Sequence, residues 1–317
     1  MLLSICIPTL DRQEHLDNCL NSILISSKNT SNLKFEVCIS DNGSDYDVQK
    51  LISKYDKNLN IKFKKNSKNL GFSLNAIQSV SMASGEFVWL IGNDDLLLPC
   101  TLTILKNLLV TNTDVEFFFI NSYFLNSQEL KKHSSPINTE KIELKNLRSI
   151  SSLKKDKSGN FWDVIDPKVS WDFLIGIFLS VFKRDKWIQN LDVLNQKEIE
   201  DISTWSNFDN TCTHPKVLSS AFKNSKAYIC SKPLSINLVG EREWFSLYNF
   251  IEIVRIPELL DYYRSLGMPL LKFLYCKNFA LRNFSNYFFK IIIGGNKTGL
   301  NYVNFKRHFL CNLYFPN

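Results

Sequence analysis

Carboxylates are missing from the end of this 317-residue chain: from Tyr262 to Asn317 there is no Asp or Glu, against eight Lys and Arg and fourteen Phe and Tyr. Within a net charge of +7, that imbalance excludes an acidic surface there and fits one that meets anions. Cysteine pairs are missing as well. The eight cysteines contain no C-x-x-C, which argues against structural zinc and for a reducing compartment. No stretch approaches the roughly 18 apolar residues of a membrane span; the longest, 173–182, is about half that. The opening Met1-Leu2-Leu3-Ser4-Ile5-Cys6-Ile7-Pro8 lacks a basic n-region, so no secretory leader is expected and the expected location is the cytoplasm. There is no internal repeat, no low-complexity linker and no helix-turn-helix, RNA-binding or zinc-finger signature, so nucleic acid is not an expected partner.

What is present centres on residues 86–99. Phe87-Val88-Trp89-Leu90-Ile91 is an apolar run that ends in Gly92-Asn93-Asp94-Asp95. Five consecutive apolar residues between glycines fit a strand covered on both faces, as in a parallel sheet, with Asp94 and Asp95 at its carboxyl end. Ligands bind at that edge of open α/β sheets. Hard oxygen ligands there suit Mg or Mn holding a diphosphate. An Asn-Asp-Asp turn is the alternative for those residues taken alone.

The first hundred residues alternate strand and helix patterns: strands over 2–8, 35–40, 61–63 and 87–91, helices over 11–25, 48–55 and 73–83. This predicts a parallel, doubly wound α/β sheet with right-handed crossovers. A helix is expected over 102–109 and a strand over 115–125. Residues 127–159 turn polar and read as a loop or flap without a core. Further on come a strand or bend over 171–182, a helix over 215–222, a short strand over 228–230 and a polar loop over 236–245. Helical spacing then runs from 248 to 293, broken near Gly267-Met268-Pro269.

Four clusters fall at or between the predicted strand ends: Pro8-Thr9-Leu10-Asp11-Arg12, Ser40-Asp41-Asn42-Gly43-Ser44-Asp45, Asn69-Leu70-Gly71-Phe72-Ser73-Leu74-Asn75 and Gly92-Asn93-Asp94-Asp95. In order and approximate spacing they resemble a family 2 glycosyltransferase with the GT-A fold. Beyond residue 170 the chain resembles bacterial O-antigen sugar transferases of the abequosyltransferase-like branch, in Gly-Ile-Phe-Leu-Ser-Val-Phe-Lys-Arg (176–184) and Ser-Lys-Pro-Leu (231–234). The resemblance implies a Rossmann-like, mostly parallel sheet over 1–245 and a helical C-terminal region over 246–317. It implies transfer, with inversion, of a sugar from a nucleotide diphosphate sugar to a saccharide acceptor, expected to be lipid-linked. Pro8, Thr9, Asp11 and Arg12 would line the base and ribose pocket, and Asp41 would accept a hydrogen bond from the base. Asn42 and Asp45 are second contacts, Asn69 and Gly71 shape the turn, and Asn93 and Asp94 approach the diphosphate. Asp94 and Asp95 would hold a divalent metal, Mn or Mg.

Two departures from the family pattern stand out. Gly92 occupies the place of the first metal-motif Asp, which removes one oxygen ligand. The acidic pair that supplies the base in inverting members has no equivalent at Asp209-Asn210-Thr211-Cys212-Thr213-His214-Pro215, so His214 and Asp209 are the expected candidates, with Glu200-Asp201 a more distant one. Arg242 is a candidate phosphate clamp, and Trp171 and Trp244 are candidate stacking platforms or core. The acid-free aromatic tail is expected to meet an anionic membrane surface, or else to pack inward as helical core. A nucleotidyltransferase and an inactive nucleotide-binding protein remain alternatives, the first weakened by the absence of a Gly-rich loop with Lys near Pro8–Arg12.

Overall fold

All seven residues of the first strand are buried, as a strand covered on both faces must be, and it pairs in parallel with both neighbours. The computed structural model describes every residue except 31, 131, 204, 241–243, 314, 316 and 317. Strands β1 (Leu3–Thr9), β2 (Phe35–Asp41), β3 (Ile61–Lys65) and β4 (Phe87–Leu90) run parallel in the order β3-β2-β1-β4. The sheet continues through β5 (Asp95–Leu97), β6 (Phe117–Asn126), β7 (Arg148–Ser149), β8 (Lys157–Asn160), β9 (Ser180–Lys183) and β10 (Lys226–Val239). Beyond β4 the order is β9-β6-β10-β5; β9 is antiparallel to both β4 and β6, whereas β6 and β10 are parallel. Helices flank this mixed sheet. In the first, Gln13–Lys28, Leu16, Leu20 and Ile23 form the buried stripe.

Two stretches differ from expectation, and the two expected regions share one core. The polar loop expected over 236–245 is, up to Val239, the second half of β10. Its polar residues hid it: Ser235 and Asn237 are buried, and Asn237 Nδ2 donates to Asp95 Oδ1 at 2.8 Å. The register shifts between Cys230 and Ser235, where Pro233 has no N–H to give to a ladder. The flap over 127–159 has a small core of its own, in which Ile137 and Ile142 pack with Leu96, Leu98, Ile236 and Leu238. Finally, the packing does not divide at residue 245. Leu259, Tyr263, Cys276, Phe284 and Ile291 of the C-terminal helices belong to the same core as Ile5, Trp89 and Phe118. The Tyr263 hydroxyl donates to the Phe173 carbonyl and Lys272 Nζ to the Trp162 carbonyl, both at 2.8 Å. Among the described residues, no helix is long and apolar enough to cross a membrane.

Candidate active site

Parallel pairing brings the carboxyl ends of β1, β2 and β4 side by side, and their loops are stitched together. Asn93 Nδ2 donates to Thr9 Oγ1 at 2.8 Å, and the Asn42 N–H to the Thr9 carbonyl at 2.8 Å. Pro8 and Thr9 are buried within β1. Asp11 has φ 49°; its N–H donates to Ser44 Oγ at 2.9 Å, and its Oδ1 accepts from the Asp45 N–H at 2.7 Å, so the β1 and β2 loops move as one. Asp41 is fully buried. Its Oδ1 accepts the Ser44 N–H at 2.9 Å, while Oδ2 has no hydrogen-bond partner and only the Lys65 ammonium at 3.9 Å. A buried carboxylate oxygen without a donor is costly, and a ligand N–H is the kind of group it accepts.

Asn42 is engaged within the fold. It is buried, its Nδ2 donates to Asn69 Oδ1 at 2.7 Å and the Gly71 carbonyl at 3.2 Å, and its Oδ1 accepts the Leu70 N–H at 2.9 Å. Its amide is consumed in shaping the 66–71 turn. Asn69 Oδ1 also accepts the Gly71 N–H at 2.8 Å, and Gly71 adopts φ 81°, which favours glycine. That turn brings the start of the helix Gly71–Ser81 against Ile202, whose Cα would lie 3.4 Å from a Cβ at residue 71.

At the β4 end, Arg12 Nη1 lies 3.4 Å from Asp94 Oδ2, with both side chains part-exposed. The space a Cβ at Gly92 would fill is flanked by Asp94 Oδ1 at 2.5 Å and Asp95 Oδ2 at 3.1 Å. Two hard oxygens therefore converge beside the glycine, a donor set that fits Mg or Mn completed by oxygens of a bound diphosphate. Among the described residues no three His, Cys, Asp or Glu side chains come together as a metal group. Asp95 is 1 % exposed, and its Oδ2 also accepts the Gly92 N–H at 2.7 Å. It braces the loop, and Asp94 is the more accessible of the pair.

A cavity of about 300 Å³ opens from this edge, lined by Arg12, Gly92, Asp94 and Asp95 on one side and by Asp172, Asp201, His214 and the indoles of Trp171, Trp205 and Trp244 on the other. The segment behind its far wall is strained: Phe173 and Leu174 have φ 49° and 80°, rare for such residues and costing on the order of 1–3 kcal/mol each. Asp172 holds the turn by accepting the Gly176 N–H at 2.9 Å, Tyr263 holds the Phe173 carbonyl, and His214 Nε2 lies 3.0 Å from the Leu174 carbonyl. Because a carbonyl only accepts, Nε2 carries the proton and Nδ1, buried without a partner, is the acceptor. Burial lowers the His214 pKa to about 4, against the opposing hydrogen bonds to Ile175 and Leu174. His214 is thus a buried, neutral anchor. Its helix, Thr213–Phe222, begins before Pro215.

Asp209 is held away from the cavity by its own partners. It does not line the cavity, and Lys216 Nζ grips both its oxygens at 2.6 and 2.8 Å while the Asn195 N–H donates to Oδ2 at 2.6 Å. Asp201 does line the cavity and is part-exposed. Hydrogen bonds from the Ser206 hydroxyl (2.5 Å) and the Ser203 N–H (2.8 Å) hold its carboxyl below the usual carboxylate range, so it is ionised. Glu200 is exposed and paired with Gln196. The loop carrying Asp201 is held from beneath by buried Arg255. Its Nη2 donates to the carbonyls of Trp205 (3.1 Å) and Ser206 (2.7 Å), and its Nη1 to Glu258 Oε2 at 2.6 Å. Nothing local in the sequence marks Arg255, Glu258 or Asp172 for these roles. Trp205 packs on Trp244 with rings 5.0 Å apart. Arg242 lies outside the described residues.

Residues 4–167 match the model of a family described as Glycosyl transferase family 2. A stretch of 117 residues is 41% identical to abequosyltransferase RfbV of Salmonella typhimurium, covering 36% of this chain and 34% of that protein. Another of 85 residues is 33% identical to chondroitin synthase of Pasteurella multocida, covering 27% of this chain and 8% of that one. The matches thus span about a third or less of these relatives' own length. Among solved structures, S. aureus TarS 1-349 superposes with a TM-score of 0.61 at 17% identity, covering 93% of this chain and 74% of that chain. The same fragment has been solved with UDP-GlcNAc. The mannosyltransferase PcManGT from Pyrobaculum calidifontis, in complex with GDP-Man and Mn2+, gives 0.53 at 14% identity, covering 92% and 75%. At such identities the likeness is one of fold.

Proposed function

The chain belongs to glycosyl transferase family 2 and has the GT-A fold, and on that premise we propose that it transfers a sugar from a nucleotide diphosphate sugar to a hydroxyl of a saccharide acceptor. One observation carries this reading. Asp41 with a buried oxygen that takes no hydrogen bond, Asp94 beside Arg12, and a cavity that reaches ionised Asp201 all stand at one sheet edge. Asp41 accepts an N–H of the base, and Thr9 and Asp11 hold the loop against which the nucleoside lies. Arg12, beside Asp94, offers its guanidinium to the diphosphate. Asp94 and Asp95 would hold a divalent cation, which would neutralise diphosphate charge. Asp201 takes the proton of the acceptor hydroxyl as that oxygen bonds to the anomeric carbon and the nucleoside diphosphate leaves, with inversion. His214 Nδ1 offers a hydrogen-bond acceptor to a sugar hydroxyl, and Trp171 and Trp205 offer ring faces to the sugar.

The likeness to abequosyltransferase supports a role in O-antigen or capsule synthesis on a lipid-linked acceptor, at the inner face of the cytoplasmic membrane. The nucleotide complexes of the structural neighbours support a UDP- or GDP-linked donor. The test is a panel of UDP-, GDP-, CDP- and dTDP-sugars with Mn2+, read by melting temperature. A ligand at a hundred times its Kd adds about 2.7 kcal/mol, so one nucleotide should raise the midpoint clearly and Asp41→Ala should abolish the rise. No response to any nucleotide would sink the reading.

A further inference from the structure

The helix Phe284–Gly294 buries Phe284, Phe288 and Ile291 and turns Phe289, Ile292 and Ile293 outward, 63%, 49% and 70% exposed. Both triplets have helical spacing, so the helix is apolar on two faces of which the core covers one. A further exposed ring packs against the same helix at Phe288. Phe305, itself 57% exposed, stacks on Phe309 at 4.7 Å, and Phe309 lies 4.7 Å from Phe288. Next to these residues in sequence stand Lys290, Lys297 and Lys306, all exposed and making no ion pair with a described residue. No Asp or Glu follows Asp261 in the chain. Arg307 is not a free cation of this group, because Glu258 holds its guanidinium at 3.1 Å.

Exposed rings and isoleucines beside ammonium groups that no described carboxylate holds are complementary to an anionic bilayer: the apolar side chains enter the acyl boundary while the cations stay at the phosphates. We propose that the face formed by Phe289, Ile292, Ile293 and Phe305 docks this protein on an anionic lipid surface. This goes beyond the proposed transfer and is read without turnover, so either can fail alone. The experiment is flotation of the full chain with vesicles of phosphatidylcholine alone or mixed with phosphatidylglycerol. Wild type should float with the mixed vesicles at low salt and release as salt rises. Each of Lys290→Gln, Lys297→Gln and Lys306→Gln should weaken partitioning about fivefold, and Phe289→Ser with Ile293→Ser should abolish it at unchanged melting temperature. Equal binding to both vesicle types, binding indifferent to the lysine changes, or no binding would overturn the proposal. So would a dimer, seen by sedimentation, that is lost in the serine variant while wild type ignores lipid, since the face would then join two copies of the chain.

Discussion

Mild acid should destabilise this protein through His214. An unfolded chain protonates such a ring near pH 6.5, whereas the buried native ring stays neutral down to about 4. Between those values the unfolded state binds the extra proton, so stability falls as pH falls and the loss is complete below the native pKa. At roughly 1.4 kcal/mol per pH step, the gap from 6.5 to about 4 amounts to on the order of 3 kcal/mol, with about 2 kcal/mol of it lost by pH 5. The assay is urea unfolding of wild type and His214→Phe at pH 7, 6 and 5. Phenylalanine keeps the edge contact with Phe72 but leaves the buried Leu174 carbonyl without its donor, a cost of about 1–3 kcal/mol at pH 7. Having no ring to protonate, the variant should recover about 2 kcal/mol relative to wild type by pH 5. A deficit that stays constant from pH 7 to 5 would refute the neutral-anchor reading.

Asp201→Asn should cut turnover by about 10²–10⁴-fold while the nucleotide-induced rise in melting temperature is kept; wild-type turnover would remove Asp201 as base. Asp209→Asn should act on stability instead, because it leaves the part-buried Lys216 ammonium without its anion, at about 1–3 kcal/mol in denaturant unfolding; normal stability with lost turnover would return Asp209 to the chemistry. Gly92→Ala places a methyl 2.5 Å from Asp94 Oδ1, so the carboxylate must move: Mn-dependent nucleotide binding, followed by calorimetry, should weaken while the free protein melts as before. Unchanged binding would mean that the glycine's open side is not used.

The sheet edge that carries the proposed nucleotide site was legible in the sequence, because a strand buried on both faces must be apolar throughout, and its loop announces itself where Gly, Asn and Asp interrupt the run. The same pattern puts Thr9, Asp41 and Asp94 at the ends of neighbouring parallel strands. It could not choose between Asp201 and Asp209, since both are acids in polar, loop-like sequence. Lys216, one face along a later helix, neutralises one, while the other is left beside the cavity. Nor did the sequence mark the second half of β10, whose Asn237 looks like loop until its partner Asp95 is seen across the sheet. Local pattern reports what a residue's own backbone and burial require. Which polar group is consumed by a partner and which is left for a substrate depends on contacts between distant segments, such as Arg255 on the carbonyls of Trp205 and Ser206, and those contacts form only when the helices after residue 245 pack into the common core.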